Sequence, residues 1–219
     1  MSAPTQPLPL DQDAFYDLTN SYHLIHGRQV RPELLRTADD AIAKCFWQRK
    51  RIQRHNPASR FISNASSLNQ LGIQAPDVSA WYCCDELAVQ MVIYPSIPGR
   101  DLRDLTTSGD TTALEQFPDF LADLHARGIY FRAIHLANVL HQDDNWALID
   151  VADLQFKPGP LGVFHRARNL SHLLNVAEDR RALAVFGEQR LIADYCRSAG
   201  VSAWQIHLIK IWVQVHRRA

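Results

Sequence analysis

The chain has 219 residues, carries 23 basic and 23 acidic side chains, and is 47% hydrophobic. Those figures suit one sizeable domain or two closely joined lobes, and the zero net charge gives no argument for nucleic acid as a partner. No apolar run has the length of a membrane span.

From the N-terminus, residues 1–13 lack the basic region and apolar core of a signal peptide and are expected to form a flexible leader. Residues 33–47, ELLRTADDAIAKCFW, read as two strands joined at Ala38-Asp39-Asp40. In the second strand Ile42, Lys44 and Phe46 alternate with Ala43, Cys45 and Trp47. Lys44 therefore lies on an apolar face, either as a stem packed along the core with its head in water or as a cation held there for chemistry. The basic stretch Arg49–Arg60 is a solvated face or a patch for an anionic acceptor or membrane surface. Phe61–Leu71 has helical apolar spacing and is stopped by Gly72. Leu87–Ile93 is a buried-strand candidate, and Tyr94-Pro95-Ser96-Ile97-Pro98-Gly99 breaks it in the manner of an interlobe hinge.

Beyond Ala113 the chain reads mainly helical outside a central hairpin. Asn138–His141 and Trp146–Ile149 are short apolar runs around the turn formers Gln142-Asp143-Asp144-Asn145, a β-hairpin pattern. A hairpin brings its outer ends together, which sets Asn138 near Asp150. Two hard oxygen donors so placed suit Mg²⁺, which in turn takes phosphate oxygens of a nucleotide. Taken singly, Asn138 is better explained as a turn cap and Asp150 as a strand end, and their joint placement after the apolar run at residues 121–128 reverses that preference. Arg166–Leu174 and Leu183–Cys196 have helix-type spacing, and Trp204–Val215 is apolar enough to be a buried closing helix, with a membrane-surface helix as the alternative.

The four cysteines, Cys45, Cys83, Cys84 and Cys196, have no zinc-ligand spacing, which fits free thiols in a reducing cytoplasmic setting. The ten histidines show no H-E-x-x-H arrangement and read mostly as surface or turn residues.

Gly128–Asp150, GIYFRAIHLANVLHQDDNWALID, resembles a protein-kinase catalytic loop followed by a metal-binding strand. The pattern H-R-D-x-x-x-x-N stands here as Phe131-Arg132-Ala133, four residues, then Asn138. With AIAKCFW, LNQLGIQAPDV, VIYPSIPGRDLRDL, LHARGIYFRAIHLANVL and WALIDVADL in that order, residues Leu34 to Leu174 resemble the bacterial lipopolysaccharide core kinases, the Kdo/WaaP family. The resemblance implies an α+β, protein-kinase-like two-lobed fold. Residues 14–95 would be an antiparallel-sheet lobe and residues 96–219 a mainly helical lobe carrying the catalytic-loop hairpin.

It further implies ATP and Mg²⁺ as cofactors, with Lys44 and Tyr94 at the nucleotide and Asn138 and Asp150 at the metal. The acceptor would be a lipopolysaccharide core oligosaccharide or lipid-linked sugar, reached from the cytoplasm or peripherally at the inner membrane. The chain departs from the pattern in three places. Ala133 replaces the catalytic aspartate beside Arg132, Asn64 stands where the helix glutamate partner of Lys44 belongs, and the Gly-rich loop is missing, Gly27 being the only glycine before Gly72. His135 matches the second histidine of the H-G-D-x-H-x-x-N version found in related small-molecule kinases, and it or Asp153 could stand in for the base. Retained Lys44, Asn138 and Asp150 favour a divergent kinase. Ala133, Asn64 and the missing loop favour a nucleotide-binding pseudokinase serving as a regulatory or scaffold module in envelope biogenesis.

Overall fold

A computed structural model describes residues 3–48 and 56–216. Most of the basic stretch, residues 49–55, lies outside the described residues. The chain divides into two compact units, Met1–Ile97 and Pro98–Ala219. The α+β organisation is as expected, with a sheet in the first unit and mostly helices in the second.

The first unit runs β1 (Leu8–Pro9), α1 (Gln12–Asn20), β2 (His23–Arg28), β3 (Arg31–Arg36), β4 (Ala41–Trp47), α2 (Pro57–Gln70), β5 (Ala80–Cys84) and β6 (Val89–Pro95). Its sheet has the order β1-β5-β6-β4-β3-β2, antiparallel except for the β1–β5 pair. The flexible leader expected at 1–13 is thereby corrected over residues 8–13. Leu8 and Pro9 pair with Tyr82 and Cys83, and the Asp11 side chain accepts the Ala14 amide hydrogen to cap α1. Two strand residues and one cap are too little pattern to read from sequence.

The alternation expected in β4 holds. Ala43 and Cys45 are buried against Phe15 of α1, Leu35, Val89 and Met91, and Trp47 meets Phe15 edge-on at 5.9 Å. Burial pushes the Cys45 thiol up to about 12, so it stays protonated and acts as a small apolar side chain. The opposite face is covered by α2, whose Phe61, Ile62, Ala65 and Leu68 are buried at helical spacing. Asn56 caps α2 through its side-chain oxygen on the amides of Ala58 and Ser59, a contact that stabilises such helices by about 1 kcal/mol. Pro57 follows at the first turn, where its missing N–H costs nothing.

The second unit runs β7 (Arg100–Asp101), α3 (Leu102–Thr107), α4 (Thr112–Ala126), β8 (Ile129–Phe131), β9 (Val139–Gln142), β10 (Asn145–Leu148), β11 (Leu154–Phe156), α5 (Val163–Asn175), α6 (Arg180–Phe186), α7 (Glu188–Ser198) and α8 (Ala203–Val215). The strands form two small sheets, β10-β9-β7 and β11-β8. The hairpin is present with a tighter turn than expected. Gln142 pairs with Asn145, leaving Asp143-Asp144 as a two-residue turn in which Asp143 takes φ 53°.

Two helical expectations are corrected. Leu183–Cys196 is not one helix, because Gly187 at φ 96° separates α6 from α7. The last helix is not a buried one. Only Ile209 and Val213 of α8 are buried, while Trp204, Ile211 and Val215 face solvent, because among the described residues its main packing partner is α5 alone. Among the described residues no helix is long and apolar enough to cross a membrane.

Candidate functional site

The catalytic-loop segment is closed at both ends by hydrogen bonds that the short strands create. At its start Phe131 of β8 pairs with Leu154 of β11. At its end the Ile149 amide donates to the Asn138 carbonyl at 3.0 Å, continuing the β9–β10 ladder outward by one rung. Residues 132–138 and 149–153 therefore face each other as two short spans between fixed ends. A close approach at the entrance fixes the residue type there. Gly128 has φ 75°, and a Cβ on it would come within 2.6 Å of the carbonyl oxygens of Lys157 and Gly159.

Asn138 is buried, and its side-chain nitrogen donates to the Ala133 carbonyl at 3.2 Å. A carbonyl accepts only from the amide nitrogen, so the bond fixes which end is which and leaves Oδ1 as the oxygen free of that contact. Asp150 follows the rung at Ile149 and sits in the left-handed region at φ 55°, ψ 43°. That conformation costs a non-glycine residue about 1–2 kcal/mol, less for Asp, and persists only where its surroundings hold it. The bonds that close the hairpin thus bring the backbones at Asn138 and Asp150 together, and the donor set is two hard oxygens. Such a pair fits Mg²⁺, which takes one or two protein ligands and fills its shell with water and phosphate. Among the described residues no group of three or more His, Cys, Asp or Glu side chains could hold a metal by itself.

Arg132 is exposed, and Ala133, half-buried, presents only a methyl group where a carboxylate is absent. His135 is half-buried, and its Nδ1 is enclosed without a hydrogen-bond partner. Burial holds the ring below the usual histidine range, helped by the Arg103 guanidinium and opposed by Asp179, Asp150 and Glu178. The ring is accordingly neutral at pH 7, the form that can accept a proton. Asp153 is exposed.

Several residues that hold the loop escaped the sequence reading. Asp179, fully buried before α6, accepts the Leu136 amide at 2.8 Å with one oxygen and the Arg103 Nε–H at 2.5 Å with the other. Asn169 of α5 donates to the Phe131 carbonyl at 2.7 Å, so its Oδ1 must be the atom facing His125 Nε2 at 2.8 Å. His125 then donates through Nε2, leaving Nδ1 to accept from the Tyr195 hydroxyl at 2.7 Å. Tyr195 in turn accepts from Arg166 at 3.0 Å, and Arg166 Nε donates to the Leu161 carbonyl at 2.6 Å. Every donor in this chain meets an acceptor only when His125 is neutral, and burial depresses its pKa to about 4. The histidines read as surface groups are thus corrected at His125, which lies wholly inside. The available signal was a polar residue at a core phase: Arg166, Asn169, Leu170 and Leu173 share one helical face.

In the first unit Lys44 is half-buried, its Nζ 5.8 Å from the ring centre of Phe46 and 5.9 Å from that of Phe61. It stands opposite Val92, on the sheet face covered by α2. Helix α2 has no Asp or Glu along its length, and Asn64 lies within it, half-buried. Glu33 is engaged by His26 at 2.9 Å. Tyr94 is buried, with its ring 5.6 Å from Phe61, so the ring serves the core while its backbone stands opposite Ile42 in the β4–β6 ladder.

Compared by sequence, the chain matches no family model and no curated protein. Among solved structures it is similar to that of the Rio2 kinase–ADP/Mg²⁺–phosphoaspartate complex from Chaetomium thermophilum. The two share 12% identity and a TM-score of 0.47, over 91% of this chain and 73% of that one.

Proposed function

We propose that the chain is a divergent ATP-dependent phosphotransferase of the protein-kinase-like type. The observation that carries the nucleotide- and metal-binding part of this reading is the loop closed at both ends, with Asn138 anchored on the Ala133 carbonyl and Asp150 set one residue past the last rung. Asn138 Oδ1 and the Asp150 carboxylate would hold Mg²⁺, which when bound supplies charge neutralisation at the nucleotide phosphates. In the first unit Lys44 is proposed as a nucleotide-binding residue, its Nζ lying 5.8 Å and 5.9 Å from the ring centres of Phe46 and Phe61. Neutral His135 is the proposed proton acceptor in place of the missing carboxylate. The acceptor suggested by the sequence resemblance is a sugar of the lipopolysaccharide core, phosphorylated on the cytoplasmic side.

Ala133 favours a second reading specifically, that of a pseudokinase which binds nucleotide and transfers nothing. Calorimetry of ATP and ADP binding, with and without magnesium, on the wild type and on Asp150→Ala tests the binding common to both readings. The wild type should bind only with magnesium, and the variant should lose that dependence while keeping its thermal midpoint. Equal nucleotide affinity in the two proteins, with and without the metal, removes the metal assignment. Incubation with ATP and a panel of core oligosaccharides then separates transfer from mere binding.

A further inference from the structure

Helix α8 has two apolar faces, and the fold uses one. Ile209 and Val213 are buried along α5. Trp204, Leu208, Ile211 and Val215, spaced four, three and four residues apart, form a second stripe. Trp204 is 61%, Ile211 43% and Val215 71% exposed. Phe164 of α5, 62% exposed, extends this stripe and meets Trp212 edge-on at 5.9 Å. A shallow groove of about 140 Å³ runs between the two helices, lined by Phe164, Ala167, Leu208, Ile211 and Val215.

The formal charges carried by the two helices themselves have one sign. Neither α5 nor α8 contains an Asp or Glu, and Arg168, His172, Lys210 and His216 are all exposed. Arg168 and His172 line a cavity of about 510 Å³ that borders the apolar groove at Trp212 and His216. In sequence, every residue after Asp194 is neutral or basic, ending in Arg217-Arg218-Ala219. Exposed Trp, Phe and Ile with cations on the flanks and no carboxylate complement an anionic bilayer, where rings sink to the headgroup boundary and cations meet phosphate.

We propose that the face formed by α5 and α8 docks onto an anionic phospholipid membrane. Trp204, Ile211, Val215 and Phe164 enter the acyl boundary, while Arg168 and Lys210 meet the headgroups. The surface lies wholly within the second unit, and the inference stands without the phosphotransfer reading.

The test is co-sedimentation of the full chain with phosphatidylcholine vesicles, with and without phosphatidylglycerol. Wild type should sediment with the anionic vesicles, remain in solution with the zwitterionic ones, and be released by salt. The double variant I211Q/V215Q, altered at exposed positions, should keep its circular dichroism and thermal midpoint and bind at least about tenfold more weakly. Trp204→Gln, on the same stripe, should weaken binding in the same direction. Arg168→Gln should cost about fivefold on anionic vesicles. Failure of the wild type to bind anionic vesicles, or binding unchanged in I211Q/V215Q and Trp204→Gln, overturns the proposal. So does a vesicle-free dimer that I211Q/V215Q makes monomeric, which would assign the stripe to a second copy of the chain.

Discussion

Asp179→Asn tests whether the loop is held from beneath by a charge. The carboxylate is fully buried and uses both oxygens, one for Arg103 Nε and one for the Leu136 amide. An amide of the same shape offers one oxygen, so its NH₂ group must face one of these two donors. The loss of a charge-assisted bond costs about 1.5–3 kcal/mol, and a buried donor left without an acceptor costs about 1–3 kcal/mol more. Arg103 is 30% exposed, so water recovers part of its share. The expected loss is therefore about 3 kcal/mol, large against the stability of an ordinary domain.

Urea unfolding at neutral pH, followed by circular dichroism, reads that loss as a shift in midpoint. The same protein, at urea concentrations well below its transition, should bind Mg–ADP more weakly than wild type, because Leu136 lies two residues before Asn138. Arg103→Gln in the Asp179→Asn background should recover part of the stability, since it removes the stranded cation. A midpoint within about 0.5 kcal/mol of wild type, the scatter of ordinary surface substitutions, would refute the reasoning. Unchanged nucleotide affinity alongside a large stability loss would separate Asp179 from the loop's function.

Further outcomes follow from the same residues. His125, with a folded pKa of about 4 against 6.5 for the free ring, stays neutral in the native state while the unfolded chain takes up a proton. Its contribution is complete above pH 6.5 and is lost as pH falls toward 4, a decline of about 3 kcal/mol in urea midpoints that His125→Gln should abolish. Ala133→Asp should raise single-turnover transfer from ATP to a core oligosaccharide by up to about 10²–10⁴-fold, and a fast wild type slowed by this change would point to His135, with His135→Ala as the check.

Elements whose pattern is local were readable in the sequence, and those whose meaning depends on a distant partner were not. The β9–β10 hairpin announces itself through Asp143-Asp144 between apolar runs, and α2 through the spacing of Phe61, Ile62, Ala65 and Leu68. The phase of Lys44 followed from alternation alone. Strands β8 and β11 have three residues each, too few for a period, and are recognisable only by pairing with each other across the hairpin. Asp179 and Leu136 lie 43 residues apart, and Tyr195 and His125 70 residues apart, so neither bond leaves a local trace. Helix α8 misled for a different reason. Apolar density reports what a helix would gain by being covered, and among the described residues the main cover is α5, on one side.

These supports bear on what Ala133 means. The loop is tied at Phe131 by the Asn169 amide, at Leu136 by Asp179, and at Asn138 by the Ile149 rung and the bond to the Ala133 carbonyl. The attachments use backbone groups of the loop together with the side chains of Asn169, Asp179 and Asn138, and position 133 contributes its carbonyl alone. A carboxylate there would add chemistry without adding a tie, and its absence removes chemistry without loosening one. Loop geometry is thus the same for a slow kinase and for a pseudokinase, and a well-formed loop favours neither. The difference lies in whether another group near position 133 accepts the proton. His135, neutral and two residues away, is the nearest such group by sequence. If His135→Ala abolishes transfer while leaving Mg–ADP affinity intact, the loop has moved its base along the chain. If transfer is absent from wild type and from Ala133→Asp alike, the frame is kept for binding.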